Sequence, residues 1–392
     1  MKILFCGDIV INDTHLDISD NLLKIFKESD YRICNFEGPL IKEDSKKIIK
    51  AGPHVYNYKE SIDFIKSLNI NCAALANNHI MDYGLSALKN TVEVLSQNKI
   101  CSIGAGNTFN EAYEPLVLNL NSEKICIINA CQAEFGVLKN PYYEKYGGGY
   151  SWVNSPFIKE LIIKNMKECD RIIVFIHAGM EEQIVPLPEW KQVFHEFADI
   201  IKGKGIIIAT HPHIVQGYEI YNDTSIFYSL GNFAFYKEEL KDNIEWNRSI
   251  MVQYDTKTNN NDIIPVSINN NMIDIDNSGD FKNSIEERCN LIKDDTKLNS
   301  LADEISEKTW NDFYKSYYVN LTKGIDNYSV KQLLKLLMKK VLNKLSKISD
   351  TKSFNETMLL HNIQIESHRW CVERYLYNKN LEQNNLCIDF KE

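Results

Sequence analysis

The apolar run GIIIAT, Gly205–Thr210, leads directly into His211-Pro212-His213, two imidazoles separated by one residue. Four other apolar runs end in polar groups of the same kind. KILFCG (2–7) is followed by Asp8, and YRIC (31–34) by Asn35-Phe36-Glu37. INCAALA (70–76) is followed by Asn77-Asn78-His79, and RIIVFI (171–176) by His177. Four of the nine histidines therefore stand at such ends, together with two carboxylates and side-chain amides. Imidazole, carboxylate and amide oxygen together suit borderline divalent cations such as zinc, manganese or iron. Taken singly, each residue also has a plainer reading. His177 suits a core histidine, Asp8 a turn or a helix cap, and Asn77-Asn78 a cap for the helix that follows. The coincidence of five favours a shared site. The His-Pro-His spacing on an extended strand predicts both rings on one face.

A sheet has to bring these ends together. Six short apolar runs recur through the first 235 residues: the five above and ICIINA (125–130). Their continuous rather than alternating apolarity predicts strands buried on both faces of a mostly parallel sheet, with helices at 58–68, 84–98 and 156–168. The fold class is α/β. Ligands of open α/β sheets bind beyond the carboxyl ends of the strands, so all five clusters are expected at one edge. Residues 218–235 read as a hairpin turning at Asn222-Asp223, with IFYSLGNF (226–233) as the return strand. From 255 to 281 asparagine and aspartate dominate, which predicts loops around one or two late strands (IIPVSI, 263–268) and then a boundary. Helical patterns follow at 298–318, 329–348 and 354–378. The expected organisation is a domain over 1–275 with a helical C-terminal extension, 282–392, packed on it.

The 392 residues are ample for one large α/β domain or two domains. With 44 Lys and Arg against 53 Asp and Glu, the formal charge of −9 argues against a nucleic-acid partner. No run approaches the length of a membrane span, and the opening ILFC is too short for a signal-peptide core. Ten scattered cysteines without a CxxC pair read as small buried thiols in a reducing compartment, so a cytoplasmic location is expected.

Six motifs in order carry a resemblance: Gly7-Asp8; Asn35-Phe36-Glu37-Gly38-Pro39-Leu40; Asn77-Asn78-His79 with Asp82-Tyr83-Gly84; His177-Ala178-Gly179-Met180-Glu181; His211-Pro212-His213; and Ser229-Leu230-Gly231-Asn232-Phe233. Over roughly 1–250 the chain resembles the CapA-type capsule-synthesis family, associated with poly-γ-glutamate and polysaccharide capsules. That family is similar to the calcineurin-like metallophosphoesterases, which implies a two-sheet sandwich flanked by helices. The resemblance implies Asp8, Glu37, Asn78, His177, His211 and His213 as metal ligands, with Glu37 bridging two ions. It implies His79 as general acid or transition-state stabiliser, Asp82 as the group orienting its ring, and Asn35 and Glu181 on the substrate side. It gives Asn232 no role. Two departures stand out. Asp8-Ile9-Val10 lacks the histidine of the usual Asp-x-His, and Asn35-Phe36-Glu37 replaces the usual Gly-Asp-x-x-Asp. One of two cation sites is thus a ligand short, so one ion, or a second loosely held, is expected.

With one or two divalent ions (Mn, Zn or Fe), the implied chemistry is hydrolysis of a phosphate ester by cation-generated hydroxide, with His79 protonating the leaving oxygen. Two alternatives keep the fold. One is a metal-independent, epimerase-like peptide-modifying enzyme using Asp8, Glu37 or His213 as acid and base. The other is a non-catalytic capsule-assembly component. The partner is a small-molecule, peptide or polymer substrate. In 329–348 a leucine stripe backed by six lysines suits packing on the main domain or weak contact with an anionic membrane surface.

Overall fold

The computed structural model describes residues 1–12, 15–120, 122–142, 147–316, 318 and 351–382. The lysine-rich segment 329–348 lies outside the described residues. The chain divides into two compact units, Met1–Asn299 and Ser300–Glu392.

The apolar runs form strands buried on both faces, as their lack of alternation demands. Among the described residues a nine-stranded sheet carries, in spatial order, Cys101–Ile103, Cys72–Ala74, Tyr31–Phe36, Lys2–Val10, Arg248–Asp255, Asn260–Asn269, Met272–Ile275 and Asp17–Ile18. Its first four strands are parallel, and Asn232–Phe235 joins Lys2–Val10 in parallel as well. A six-stranded sheet carries Leu116–Leu120, Glu123–Cys131, Arg171–His177, Gly205–Thr210, Thr224–Phe227 and Tyr218–Tyr221, with the middle four parallel. One apolar cluster joins the two sheets. Ile3, Phe5, Ile33 and Cys72 from the first meet Ile125, Ile127, Ile173, Phe175, Ile206 and Ile208 from the second. Phe5 and Phe175 cross edge to face at 5.8 Å. The alternate residues of the first sheet, Leu4, Cys6, Cys34 and Ala73, pack outward with Leu22 and Phe26 of helix Asp20–Glu28, Ile62 and Ile65 of Glu60–Ser67, and Leu88 and Leu95 of Gly84–Gln97. Helices Pro156–Glu168 and Pro188–Ile201, each opened by a proline that needs no hydrogen-bonded N–H there, lie against the second sheet. The α/β two-sheet sandwich flanked by helices is therefore what the chain adopts.

Several expectations need correction. The segment 255–281 is mostly ordered as the hairpins Arg248–Asp255/Asn260–Asn269 and Asn260–Asn269/Met272–Ile275. Its asparagines make the turns: Asn259, Asn270 and Asn271 adopt φ of 61°, 49° and 62°, a region asparagine enters more readily than most residues. Helix Gly279–Lys293 follows the last strand and belongs to the first unit. Its buried Arg288 donates to the Val215 carbonyl and pairs with Glu245, both at 2.5 Å. The hairpin at 218–227 turns at Asn222-Asp223 as expected, but IFYSLGNF is no single strand. The chain leaves the second sheet after Phe227 and enters the first at Asn232. The expected helices 298–318 and 354–378 are interrupted. Asp295–Thr309 passes into a wider turn, Trp310–Tyr314, and Thr351–Gln364 and Glu366–Glu382 are separate at Ile365. The nine described cysteines are free, and all but Cys101 are buried.

Candidate metal centre

Register places the polar residues. Strands Lys2–Val10 and Tyr31–Phe36 pair in parallel with Asp8 opposite Asn35, and Asn232 stands opposite Asp8 on its other side. The ladder shifts at Asp8 on both sides, so its side chain leaves the strand's regular alternation. Gly7 permits this. A Cβ there would lie 1.8 Å from the Gly231 carbonyl oxygen, which instead accepts from the Asp8 N–H at 3.1 Å. In the second sheet His177 and Thr210 are partners at the ends of adjacent parallel strands. The strand then stops, which corrects the premise that the His-Pro-His segment is extended. His211 and His213 have φ of 104° and 62°, and these turned backbones rather than strand alternation aim the two rings.

Asp8, Glu37, Asn78, His79, His177, His211 and His213 meet at this edge, all buried. Ligand atoms of Asp8, Glu37 and His177 lie within 4.8 Å of one another. His177 Nε2 is 3.0 Å from Asn78 Oδ1 and 3.1 Å from His211 Nδ1, while His177 Nδ1 is 2.9 Å from Thr210 Oγ1. His213 Nε2 and His79 Nε2 each lie 3.8 Å from Glu37 Oε1. Asn35 is buried within the cluster. Its amide donates to Asp8 Oδ1 at 2.7 Å and lies 3.1 Å from His177 Nδ1. Asn77 braces the floor, donating to the Phe36 carbonyl and accepting from Gly38 N. Glu181 is exposed, yet its charge bears on Glu37, Glu134, His79, His211 and His213, which puts it at the rim.

His79 and Asp82 form a dyad, Nδ1 to Oδ2 at 2.7 Å, and Asp82 Oδ2 also accepts from Val55 N at 2.8 Å. Lys50, with only 3% of its side chain exposed, pairs with Asp82 Oδ1 at 2.5 Å and reaches His79 Nδ1 at 3.2 Å. Burial alone would raise the Asp82 carboxyl, but His79 and Lys50 hold it below the usual range. Burial also lowers His79, with Asp82 opposing and Lys50 adding.

The charge balance tests the fit to a cation. Burial holds His177 well below the ordinary imidazole range and takes His211 down to about 3, so both rings offer lone pairs at neutral pH. Burial pushes Glu37 well above the carboxylate range. It pulls His213 down, but Glu37 and Asp8 outweigh it and bring the ring to about 9. The Glu37–His213 pair thus keeps a proton that the same groups would release in water. Asp8 Oδ2 and both Glu37 oxygens are fully buried and make no close hydrogen bond; the His213 ring stands 3.5 Å from Asp8 Oδ2 and 3.8 Å from Glu37 Oε1. Two buried carboxyl groups, one of them sharing a proton with His213, stand beside two neutral imidazoles and an amide oxygen. That donor set fits a divalent ion.

Four further residues were not singled out as site residues from the sequence. Gln132 and Glu134 follow strand Glu123–Cys131 and would have been found by the same strand-end rule, had it been applied to the sixth apolar run. Burial, with Glu181 adding, raises Glu134 to about 7. Asn232 lies 3.1 Å, through Oδ1, from His213 Nδ1, and its amide donates to the Trp246 carbonyl at 3.4 Å. Lys50 arrives on a loop without periodicity, and no sequence signal marks it.

Fold and site together define a two-sheet α/β protein whose strand ends pool a buried Asp/Glu/His cluster that could hold a metal. Residues 2–237 match the family described as "Bacterial capsule synthesis protein PGA_cap", and the chain belongs to that family. The "PGA biosynthesis protein CapA" of Bacillus subtilis (strain 168) is 29% identical over 252 residues, 62% of this chain and 63% of that one. The "Capsule biosynthesis protein CapA" of Bacillus anthracis is 29% identical over 254 residues, covering 62% and 59%. The chain spans about three fifths of the length of these curated relatives. Among solved structures, a putative 5'-nucleotidase from Staphylococcus aureus, in complex with alpha-ketoglutarate, superposes with a TM-score of 0.44 at 16% identity. It covers 73% of this chain and 58% of that one. A 5'-nucleotidase from Candida albicans SC5314 gives 0.40 at 10%, covering 79% and 57%. Among the described residues no helix is long and apolar enough to cross a membrane.

Proposed function

We propose that the protein is a divalent-cation-dependent hydrolase of phosphoester-type bonds, acting on a substrate of capsule or poly-γ-glutamate biosynthesis. The biosynthetic setting comes from the family and from the names of the Bacillus relatives. The observation that carries the chemistry is the convergence of the buried carboxyl oxygens of Asp8 and Glu37, which make no close hydrogen bond, with the neutral rings of His177 and His211. Asp8, Glu37, Asn78, His177, His211 and His213 would hold the ion. When bound, it supplies Lewis acidity toward water and a phosphoryl oxygen.

The chain's own residues account for the rest. Asp82 and Lys50 fix the His79 ring with Nδ1 on the carboxylate, so Nε2 faces the pocket and exchanges a proton with a substrate oxygen. Asn35 holds Asp8 in place. Glu181 at the rim meets the substrate and disfavours ligands with excess negative charge on that side.

The test is elemental analysis of freshly purified protein, combined with hydrolysis of p-nitrophenyl phosphate and bis-p-nitrophenyl phosphate before and after chelation. Bound Mn, Zn or Fe is expected, with activity lost to EDTA and restored by one of these ions. His211→Ala and Asp8→Ala should each lose on the order of 100-fold or more. Protein free of divalent ions with hydrolysis indifferent to EDTA would sink the proposal. Chelator-insensitive deuterium exchange at a peptide α-carbon would replace it with metal-free acid–base chemistry.

A further inference from the structure

The residues that follow strand Glu123–Cys131 have no part in the ligand set, yet they are buried against two of its members. The strand pairs in parallel with Arg171–His177, Cys131 opposite His177, and the Gln132 N–H donates to the His177 carbonyl at 3.0 Å. That register delivers Gln132 and Glu134 to the pocket wall. Gln132 is oriented by the backbone: its Oε1 accepts from Gly179 N at 3.1 Å, so its amide nitrogen faces inward. That nitrogen donates to Glu134 Oε1 at 2.5 Å and lies 2.9 Å from His211 Nε2. Glu134 accepts from Asn78 Nδ2 through Oε2 at 3.1 Å, and its Oε1 lies 3.7 Å from His211 Nε2. The Glu134 N–H donates to the Tyr150 hydroxyl at 2.9 Å, which ties this wall to the short strand Gly149–Ser151.

An asparagine amide fits its space almost equally well in either orientation, and only its partners decide which end faces where. A carboxylate beside Asn78 demands the NH2 end and turns Oδ1 toward His177 Nε2 and the pocket. At the His211 nitrogen facing away from His177 the Gln132 amide N–H donates at 2.9 Å, with Glu134 Oε1 3.7 Å away. Cation ligands are oriented by outer hydrogen-bond partners of this kind, and removal of such a partner weakens cation binding by about 10–100-fold.

We infer that Gln132 and Glu134 are the positioning pair of the cation site, setting the amide of Asn78 oxygen-inward. The inference rests on the cation reading proposed above. It assigns a role to residues outside the six-residue ligand set, and it makes the donor–acceptor order along Gly179, Gln132, Glu134 and Asn78 the property that matters.

That order permits a specific test. Glu134→Gln keeps the volume but places an amide nitrogen against either Gln132 Nε2 or Asn78 Nδ2, so one donor faces another. The exchange Gln132→Glu with Glu134→Gln restores the sequence. A carboxylate at 132 accepts from Gly179 N and from the amide at 134, whose oxygen accepts from Asn78. Apo proteins prepared with EDTA are titrated with Mn2+ by calorimetry, and the Co2+-loaded proteins are compared by visible absorption. Wild type should bind. Glu134→Gln should bind about 10–100-fold more weakly, with a changed Co2+ band. The exchanged double variant should recover most of that loss and the wild-type band, which a merely structural role does not predict. Equal affinity and an unchanged band in Glu134→Gln would overturn the inference while leaving the cation reading intact. A double variant as weak as the single one would also overturn it. Wild type that binds neither ion would remove the cation reading and the inference with it.

Discussion

Lys50 offers the sharpest energetic test. Its ammonium and the Asp82 carboxylate form a pair with 3% and 0% of their side chains exposed, 2.5 Å apart. Lys50→Met keeps most of the apolar stem and removes the charge. Breaking a buried pair from one side costs about 3–5 kcal/mol, because the remaining ion stays in a poor solvent. Here Asp82 keeps the donors Val55 N and the His79 ring, at 2.8 and 2.7 Å, which places the loss near the lower limit, about 3 kcal/mol. Unfolding entropy of about 2.1 cal/mol/K per residue gives the Met1–Asn299 unit about 0.6 kcal/mol/K, so the melting temperature should fall by about 5 °C. Asp82→Asn added to Lys50→Met removes the stranded charge and keeps an acceptor for Val55 and His79. The double variant should therefore be milder, within about 1 kcal/mol of wild type. Calorimetry and urea unfolding in EDTA measure both. A Lys50→Met loss below about 1 kcal/mol, or a double variant no better than the single one, would refute the reasoning.

Three other outcomes follow from the structure. Gly7→Ala drives a methyl group to 1.8 Å from the Gly231 oxygen, and should lose about 3 kcal/mol or more in urea unfolding, with the Asp8 N–H bond disturbed. Saturating the cation site at about 100 times its Kd should add about 2.7 kcal/mol of stability, seen as a melting temperature that rises with Mn2+ or Zn2+ and falls with EDTA. No rise with any divalent ion would contradict the pocket's charge balance. Burial would raise the Glu219 carboxyl, but His195 and Tyr228, at 2.7 and 2.6 Å, outweigh it and hold it below its ordinary value. The unfolded chain then binds a proton that the folded one refuses. This stability is present above the unfolded pKa and is lost as pH falls through the lower folded one. Glu219→Gln should flatten the acid limb of a stability–pH curve, and an unchanged limb would contradict the assignment.

Much of the fold was legible because parallel strands buried on both faces must be apolar throughout. Runs such as RIIVFI and GIIIAT betray themselves, and the polar residue that ends each run marks the sheet edge. The late hairpins were hidden because they do not have that composition. Strand Asn260–Asn269 is partly exposed along much of its length, and its asparagines, taken for loop, are turn formers at its ends. The His-Pro-His geometry was misjudged because backbone reversal at two histidines leaves no trace in residue type. Lys50 was invisible for a different reason. Its partner lies 32 positions away and its loop has no period, so only the tertiary fold brings the charges together.

The donors of the pocket come from both layers of the sandwich: Asp8, Glu37 and Asn78 from one, His177 and His211 from the other. An ion seated among them would act as a rivet through the seam, clamping layers otherwise joined there by side chains such as Phe5 and Phe175. Slippage between the layers would then be felt first as a loosened grip on the metal, well before the protein came apart. Occupancy of the rivet could thus serve as a gauge of how well the two halves are seated.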